Sequence, residues 1–439
     1  MAMESNLYLL PYIALMALAV LLHVVRRQRR LRRAEAQLRI AQKSGLNEPP
    51  SLHPVVDPDR CMGSGACARA CPEKALGVVD GLATLVNASA CIGHGACFSA
   101  CPVQALSLVF GTEKRGIDIP HISADFETNV AGVFIAGELG GMGLIRKTAE
   151  QGRQAMAGVR KRAANSHAAP LDVVIIGAGP AGLSAGLSAI HHQLRYRLVE
   201  QEDSLGGSVY HYPRHKLAMT APVTLDLIGT VRLGAEVQKE KLLAFWHDIV
   251  GKTRLEIHYN ERFEGLKLRA DGTYELLTSL GSYHTQSVLL ALGRRGTPRK
   301  LGVPGEQQAK VVYRLVDAEQ YRGHAVLVVG GGDSAVEAAV ALAAEPGTTV
   351  TLCYRGEAFS RGKEKNRLAL EGCVREGSIR TLLKSHVLRI DAQTATLQTA
   401  DGSEATLPND HVIICAGGEL PTPLLRSIGI SFETKFGKA

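Results

Sequence analysis

Six of the nine cysteines lie in two copies of one pattern. "CMGSGACARACP" (61–72) and "CIGHGACFSACP" (91–102) each place cysteines at offsets 0, 6 and 10, then a proline. These are Cys61, Cys67 and Cys71, and Cys91, Cys97 and Cys101; offset 3 holds Ser64 in one copy and His94 in the other. Grouped thiolates select soft metals, and the interleaved glycines let the backbone close around a bulky inorganic core. One-electron transfer through two iron–sulfur centres is the chemistry this suits. Zinc sites or a degenerate, empty domain are the alternatives, and the duplicated register of six cysteines argues against both. Cys353, Cys373 and Cys415 stand far apart among apolar residues and read as small buried hydrophobes. No secretory disulfide pattern is visible, so a reducing compartment is expected.

Two glycine turns offer a second chemistry. In "LDVVIIGAGPAGLSAGLSAI", from 171, an apolar strand runs into Gly177-x-Gly179-x-x-Gly182, with Pro180 and Ala181 between, and a helix follows. Glu200 ends the next strand, "YRLVE", twenty-three residues after Gly177. That combination supplies a tight turn, a close approach to a pyrophosphate and an acid for a ribose hydroxyl. "AVLVVGGGDSAVEAAVALA", from 325, repeats the turn with Gly330, Gly332, Asp333, Ser334 and Ala335. Its second strand, "TTVTLCYR", ends without an acid, and Arg355 stands near that place, with Arg361 a few residues on. Arginine there accommodates a 2′-phosphate, which favours NADPH over NADH.

The cysteine repeat resembles the two-cluster bacterial ferredoxins, whose run is C-x2-C-x2-C-x3-C-P and whose last cysteine ligates the other cluster. The resemblance implies one centre on Cys61, Cys67 and Cys101, and another on Cys91, Cys97 and Cys71. With Ser64 and His94 at offset 3, each centre is either [3Fe-4S], or [4Fe-4S] with Ser64 and His94 supplying oxygen and nitrogen ligands. Residues 117–439 resemble the pyridine-nucleotide flavoproteins of the thioredoxin-reductase type. The resemblance rests on the two turns and on "GGSVYHYP" with Gly207, "ALGRRGTPRKLGVPGE" at 291, and "ICAGGELPTPLL" at 414. It implies FAD in the first fold and NAD(P)H in the second. The family's closing flavin motif is missing from the C-terminus and stands at 128–156 as "TNVAGVFIAGELGGMGLIRKTAEQGRQAM". The flavin domain is therefore expected to be circularly permuted, with Gly137 and Glu138 beside the cofactor. Glu138 stands where the family has aspartate, and the helix beginning near Met142 is expected to aim its N-terminus at the flavin ring. The family's C-x-x-C dithiol has no counterpart in "VVYRLVDAEQYRGH".

The elements that must position these groups follow from composition and pattern. With 46 glycines, 5% aromatics and 439 residues, the chain suits several α/β layers joined by tight turns. The expected fold class is α/β: two Rossmann-like dinucleotide-binding domains for FAD and NAD(P)H, a small α+β dicluster ferredoxin domain and one N-terminal transmembrane helix. "LYLLPYIALMALAVLLHVV" (7–25) carries no formal charge and spans about 28 Å as a helix. "RRQRRLRR" (26–33) follows it and orients the soluble part toward the cytoplasm. Residues 1–25 are thus expected to span the cell membrane once and 26–53 to form a basic stalk. The ferredoxin-like domain should occupy 54–110 and the permuted part of the FAD domain 111–165. The FAD domain proper follows at 166–298, the NAD(P)H domain at 299–418, and a segment returning to the FAD domain at 419–439. Six arginines at 26–33 account for most of the net charge of +8, and no aromatic-interleaved basic stripe accompanies them, so a nucleic-acid partner is not expected.

The parts together imply an NAD(P)H-dependent FAD and iron–sulfur oxidoreductase, anchored to the membrane. It would pass electrons between NAD(P)H and a redox partner protein or a membrane electron-transfer component. No acid–base residue is required by that scheme, and none is assigned. A flavin-dependent reductase of a small disulfide or other soluble substrate, and a non-turnover redox sensor or assembly subunit, are the competing readings. The family resemblance also allows a homodimer.

Overall fold

The computed structural model describes residues 10–43, 49, 52–91, 93, 95–113, 116–141, 143–164, 169–220, 222–234, 236–293, 298–359 and 364–437. They form two compact units: 1–117 with 360–364 and 435–439, and 118–359 with 365–434.

In the first unit one helix, Leu10–Lys43, continues through the arginine cluster. The expected transmembrane helix finds no support here: among the described residues, no helix is long and apolar enough to cross a membrane. Strong helix formers such as Arg, Ala, Gln and Leu carry that helix on through 26–43. Its C-terminal half meets the ferredoxin-like fold at the strand Leu76–Val79, where a Cβ on Gly77 would sit 2.7 Å from that of Ala34.

The ferredoxin-like fold is a pair of antiparallel hairpin-like ladders. His53–Val56 pairs with Leu106–Val109, and Leu76–Val79 pairs with Leu82–Leu85. Each cysteine loop turns through a left-handed glycine, Gly65 at φ 67° and Gly95 at φ 77°, into a single-turn helix, Ala66–Ala70 or Ala96–Ser99. Left-handed backbone is open to glycine at little cost. Cys67, Leu76, Ala83, Cys97 and Leu106 are buried together, so the cysteine loops and the core are one structure.

In the second unit the strand Leu171–Ile176 is buried along nearly its whole length, as a central parallel strand should be. Its sheet runs Phe263–Leu268, Tyr274–Thr278, Gly281–Leu290, Leu171–Ile176, Tyr196–Val199. The long strand Gly281–Leu290 pairs antiparallel with Tyr274–Thr278 through residues 281–285, and Val133–Ile135 then joins it in parallel at 288–290. A strand from ahead of the first glycine turn therefore completes the flavin-type sheet. Alternation along it decides the layers: Phe134 enters one core with Val173 and Ile175, while Val133 and Ile135 enter the other with Val174 and Ile176. Leu425 and Ile430, near the C-terminus, fill that second core. Asn129 fastens this segment: its Nδ2 donates to Gly429 O at 2.8 Å and its Oδ1 accepts from Ser431 N at 2.8 Å.

A second parallel sheet orders Val311–Val312, His411–Ile414, Ala325–Val329, Thr349–Tyr354 and Ile379–Leu383, with the helix Asp333–Ala343 packed on it. An antiparallel sheet of His386–Ile390, Thr394–Gln398 and Glu404–Pro408 lies beside it in sequence.

Candidate functional site

The first glycine turn is shaped so that only glycine fits. Gly177 has φ 105°, and a Cβ on it would strike Ala291 O; one on Gly182 would strike Gly177 O. Gly179 caps the helix Pro180–His191, with Pro180 at its first position, where the missing N–H costs nothing. Gly207, at φ 53°, comes up against the turn: a Cβ there would lie 3.0 Å from Gly179 Cα. Ala181 is buried on the other side of the turn.

Glu200 is buried behind the turn, 6% exposed. Its Oε2 accepts from Ala178 N at 2.6 Å and its Oε1 from Glu202 N at 3.1 Å. Burial raises its carboxyl above the ordinary carboxylate range, and the two amides partly offset that.

The permuted segment arrives at the same place. Gly137, at φ 88°, would put a Cβ 3.2 Å from that of Ala181, and its N–H donates to Gln151 Oε1 at 2.9 Å. Glu138 begins a short 3-10 turn, Glu138–Gly140, and its carboxyl group packs near Gly143. Gln151 lies on the helix Ile145–Ala164, whose Gly152 backs directly onto the Ala181 carbonyl. Met142 lies outside the described residues. A glycine-only cradle at a helix N-terminus, with a buried acid and the 137–138 corner beside it, fits a flavin dinucleotide.

At the second turn, Gly330 has φ 149° and backs onto Cys415 O, and Gly332 caps the helix Asp333–Ala343. Ala335 is fully buried, whereas Ser334 is exposed. Asp333 Oδ1 accepts from Asn366 Nδ2 at 2.7 Å. Arg355 is exposed directly after Tyr354, the last residue of its strand; Arg361 lies outside the described residues.

Three features here had no sequence signal. The Tyr354 ring covers Gly331 and stacks on Phe359, 5.5 Å between centroids. Asn366 also donates to Glu337 Oε1 at 3.0 Å, and Lys216 Nζ donates to Glu337 Oε2 at 2.7 Å. Arg214 bonds Asp317 at 2.9 Å, and Arg314 bonds His211. These bonds tie the loop after the flavin-type strands to the nucleotide half. Only paired charges many residues apart announced them, and such pairs are everywhere in a charged chain.

The six cysteines lie near one another, with Cys67 beside Cys61 and Cys101 and Cys97 beside both Cys71 and Cys67. Burial raises the Cys67 thiol, and the nearby Cys61 and Cys101 raise it further. Cys91 is pushed up to about 11 by burial, with Cys71 and Cys97 adding to it. Cys71, Cys91 and Cys97 line one cavity with Pro54, Leu76 and Leu108. Backbone amides face the sulfurs: Ala75 N to Cys71 Sγ at 3.4 Å, Ala105 N to Cys101 Sγ at 3.3 Å, Ala83 N to Cys61 Sγ at 3.4 Å. Such donors stabilise thiolate charge around a cluster and tune its potential. Among the described residues no three His, Cys, Asp or Glu converge on a single metal ion. Ser64 is exposed and its Oγ accepts from Ala66 N at 3.4 Å. His94 lies outside the described residues. Of the three remaining cysteines, Cys353 is fully buried and pushed up to about 12 by that burial; Cys373 and Cys415 are half-buried.

Known proteins match both parts. A family described as pyridine nucleotide-disulphide oxidoreductase matches residues 174–437, and a 4Fe-4S dicluster domain matches 53–102. Bacilliredoxin reductase Bdr of Bacillus subtilis is 29% identical over 271 residues, 60% of this chain and 82% of its own. A ferredoxin–NADP reductase of Ignicoccus hospitalis is 30% identical over 272 residues, 60% of this chain and 83% of its own. The solved bacillithiol disulfide reductase Bdr of Bacillus cereus superposes with a TM-score of 0.52 at 26% identity, covering 59% of this chain and 81% of that one. With more than half its length matched by that family, a dicluster domain ahead of the match, and a glycine turn at the start of each of two helices, the chain belongs to the pyridine nucleotide-disulphide oxidoreductases, as a flavin-dependent member with an iron–sulfur domain.

Proposed function

We propose that this oxidoreductase moves electrons between NADPH and a one-electron redox partner by way of FAD and two iron–sulfur centres. The observation that carries the reading is the fusion itself: a reductase fold and two sets of three thiols occupy one polypeptide. A relative named ferredoxin–NADP reductase supports it, because here a ferredoxin-type domain is part of the chain.

Bound FAD would exchange a hydride's two electrons for single electrons, and the clusters would store those singly. The chain's own groups hold and orient. Glu200 accepts from a ribose hydroxyl while keeping Ala178 N–H, and the N-terminus of Pro180–His191 faces the pyrophosphate. Gly330 and Gly332 offer the same turn to the nicotinamide nucleotide, and Arg355 meets its 2′-phosphate. Cys61, Cys67 and Cys101 hold one centre; Cys71, Cys91 and Cys97 hold the other. Flux in either direction is compatible with these roles.

The test is anaerobic. NADPH should bleach the flavin absorbance and then produce a reduced-cluster EPR signal, with NADH slower. Flavin that keeps its colour, or protein that takes up no iron on reconstitution, defeats the reading. A second reading, reduction of a small disulfide, draws on the likeness to the two Bdr proteins. Faster reoxidation by low-molecular-weight disulfides than by one-electron acceptors would favour it.

For location, the reading places the chain at the cytoplasmic face of a membrane, touching it through exposed side chains such as Leu15, Met16 and Leu21, with the arginines behind them at anionic headgroups. Co-sedimentation with phosphatidylglycerol vesicles checks this. Equilibrium sedimentation of the same material checks for a homodimer.

A further inference from the structure

Resting on the iron–sulfur reading above, we propose that the centre on Cys61, Cys67 and Cys101 has three protein ligands only. Its fourth corner faces solvent and takes a water-derived ligand. Ser64 stands at the offset where a fourth thiolate would be, and its side chain is turned away from that role. It is exposed, and its Oγ is engaged with Ala66 N at 3.4 Å, at the start of the helix Ala66–Ala70. The loop is fixed on both sides, by Gly63 (φ 63°) against the Gly81 carbonyl and Gly65 (φ 67°) at the turn into the helix, so position 64 keeps the thiolate offset and only its side chain decides ligation. Arg69 Nη1 donates to Ser64 O at 3.1 Å, holding the residue from a third direction. An alcohol oxygen is also a harder and weaker partner than thiolate for sulfide-bridged iron. The exposed Arg69 beside the corner favours an anionic occupant, hydroxide over neutral water.

An iron without a protein thiolate is the one that leaves under a one-electron oxidant such as ferricyanide. A four-iron core of charge 2+ then yields Fe²⁺, one electron to the oxidant, and a three-iron core of charge 1+. The oxidised three-iron core is paramagnetic and the oxidised four-iron core is not.

The experiment uses the full chain, reconstituted anaerobically, treated with ferricyanide and desalted, with iron measured per flavin and EPR recorded on the oxidised protein. S64A should match wild type in both. S64C, which supplies the fourth thiolate, should retain about one more iron per chain and lose the part of the EPR signal that belongs to this centre. Both variants remove the same hydroxyl contact to Ala66 N, so any difference between them reports ligation rather than folding. Loss of iron or a changed line shape in S64A, or no extra iron in S64C, overturns the open corner while leaving the cluster reading intact. A wild-type protein that takes up no iron overturns both.

Discussion

The substitution Gly152→Ala tests whether the segment ahead of the first glycine turn really completes the flavin fold. Gly152 lies inside the helix Ile145–Ala164, and a Cβ there would strike Ala181 O, 2.9 Å from the carbonyl carbon and 3.1 Å from its Cα. Those are backbone atoms of the nucleotide-binding helix, so nothing flexible can yield. On a solvated helix, glycine to alanine would instead stabilise by up to about 1 kcal/mol. Overpacking of this kind costs about 1–3 kcal/mol, and more where backbone must move. The expected net effect is a loss of roughly 2 kcal/mol, or about 4–8 °C in Tm for a unit of this size. FAD affinity should fall with it, because the helix that moves also carries Gln151, the acceptor of Gly137 N–H. Gly251→Ala is the control: it sits in the helix Lys239–Thr253 with nothing within 4 Å of the added carbon, and should be neutral or stabilising. Thermal melts with and without added FAD, and titration of the apoprotein with FAD, read both. If G152A were as stable as G251A, the docking of this helix against Ala181 would be wrong, and the permuted arrangement with it.

Arg355→Ala should raise KM for NADPH about 10–100-fold, the worth of one or two charge-assisted hydrogen bonds, and leave KM for NADH nearly unchanged; steady-state kinetics with both nucleotides checks it. Glu200→Gln should weaken FAD binding and also change a pH slope. Burial holds the Glu200 carboxyl above the usual carboxylate range, so the folded apoprotein keeps that proton to higher pH than the unfolded chain does. Its stability should therefore fall as pH rises from that range through the raised value, and E200Q should abolish this part of the slope in urea melts. Lys216→Met breaks the bond to Glu337, whose partners are each about a quarter exposed. It should cost less than about 1 kcal/mol at low salt and nothing measurable in high salt, as urea titrations at two ionic strengths will show.

Local spacing carried most of what was legible in the amino-acid sequence. A glycine turn after an apolar strand can be read from about thirty residues because the chemistry is backbone chemistry: Gly177 and Gly182 fit only where a Cβ would collide. The duplicated cysteine register was equally local. For the N-terminal segment, hydropathy weighs residues one by one and says nothing of how far the helix extends; the structure adds that one helix, Leu10–Lys43, runs on through the arginines. Lys216, Glu337 and Asn366 could not be found in advance, since their bonds join residues up to 121 positions apart and depend on how two domains meet.

Residue types and spacing alone thus determined the chemistry on offer: thiolates in duplicate for iron–sulfur centres and two glycine turns for two dinucleotides. Only the tertiary structure decided how those parts are shared out. It brings Gly137 beside Ala181 and turns Ser64 outward onto the Ala66 amide. The physical reason is that ligand sets and cradles are made by side chains distant in sequence. Their meeting depends on which sheet edge a strand such as Val133–Ile135 completes and on where glycine lets two backbones touch.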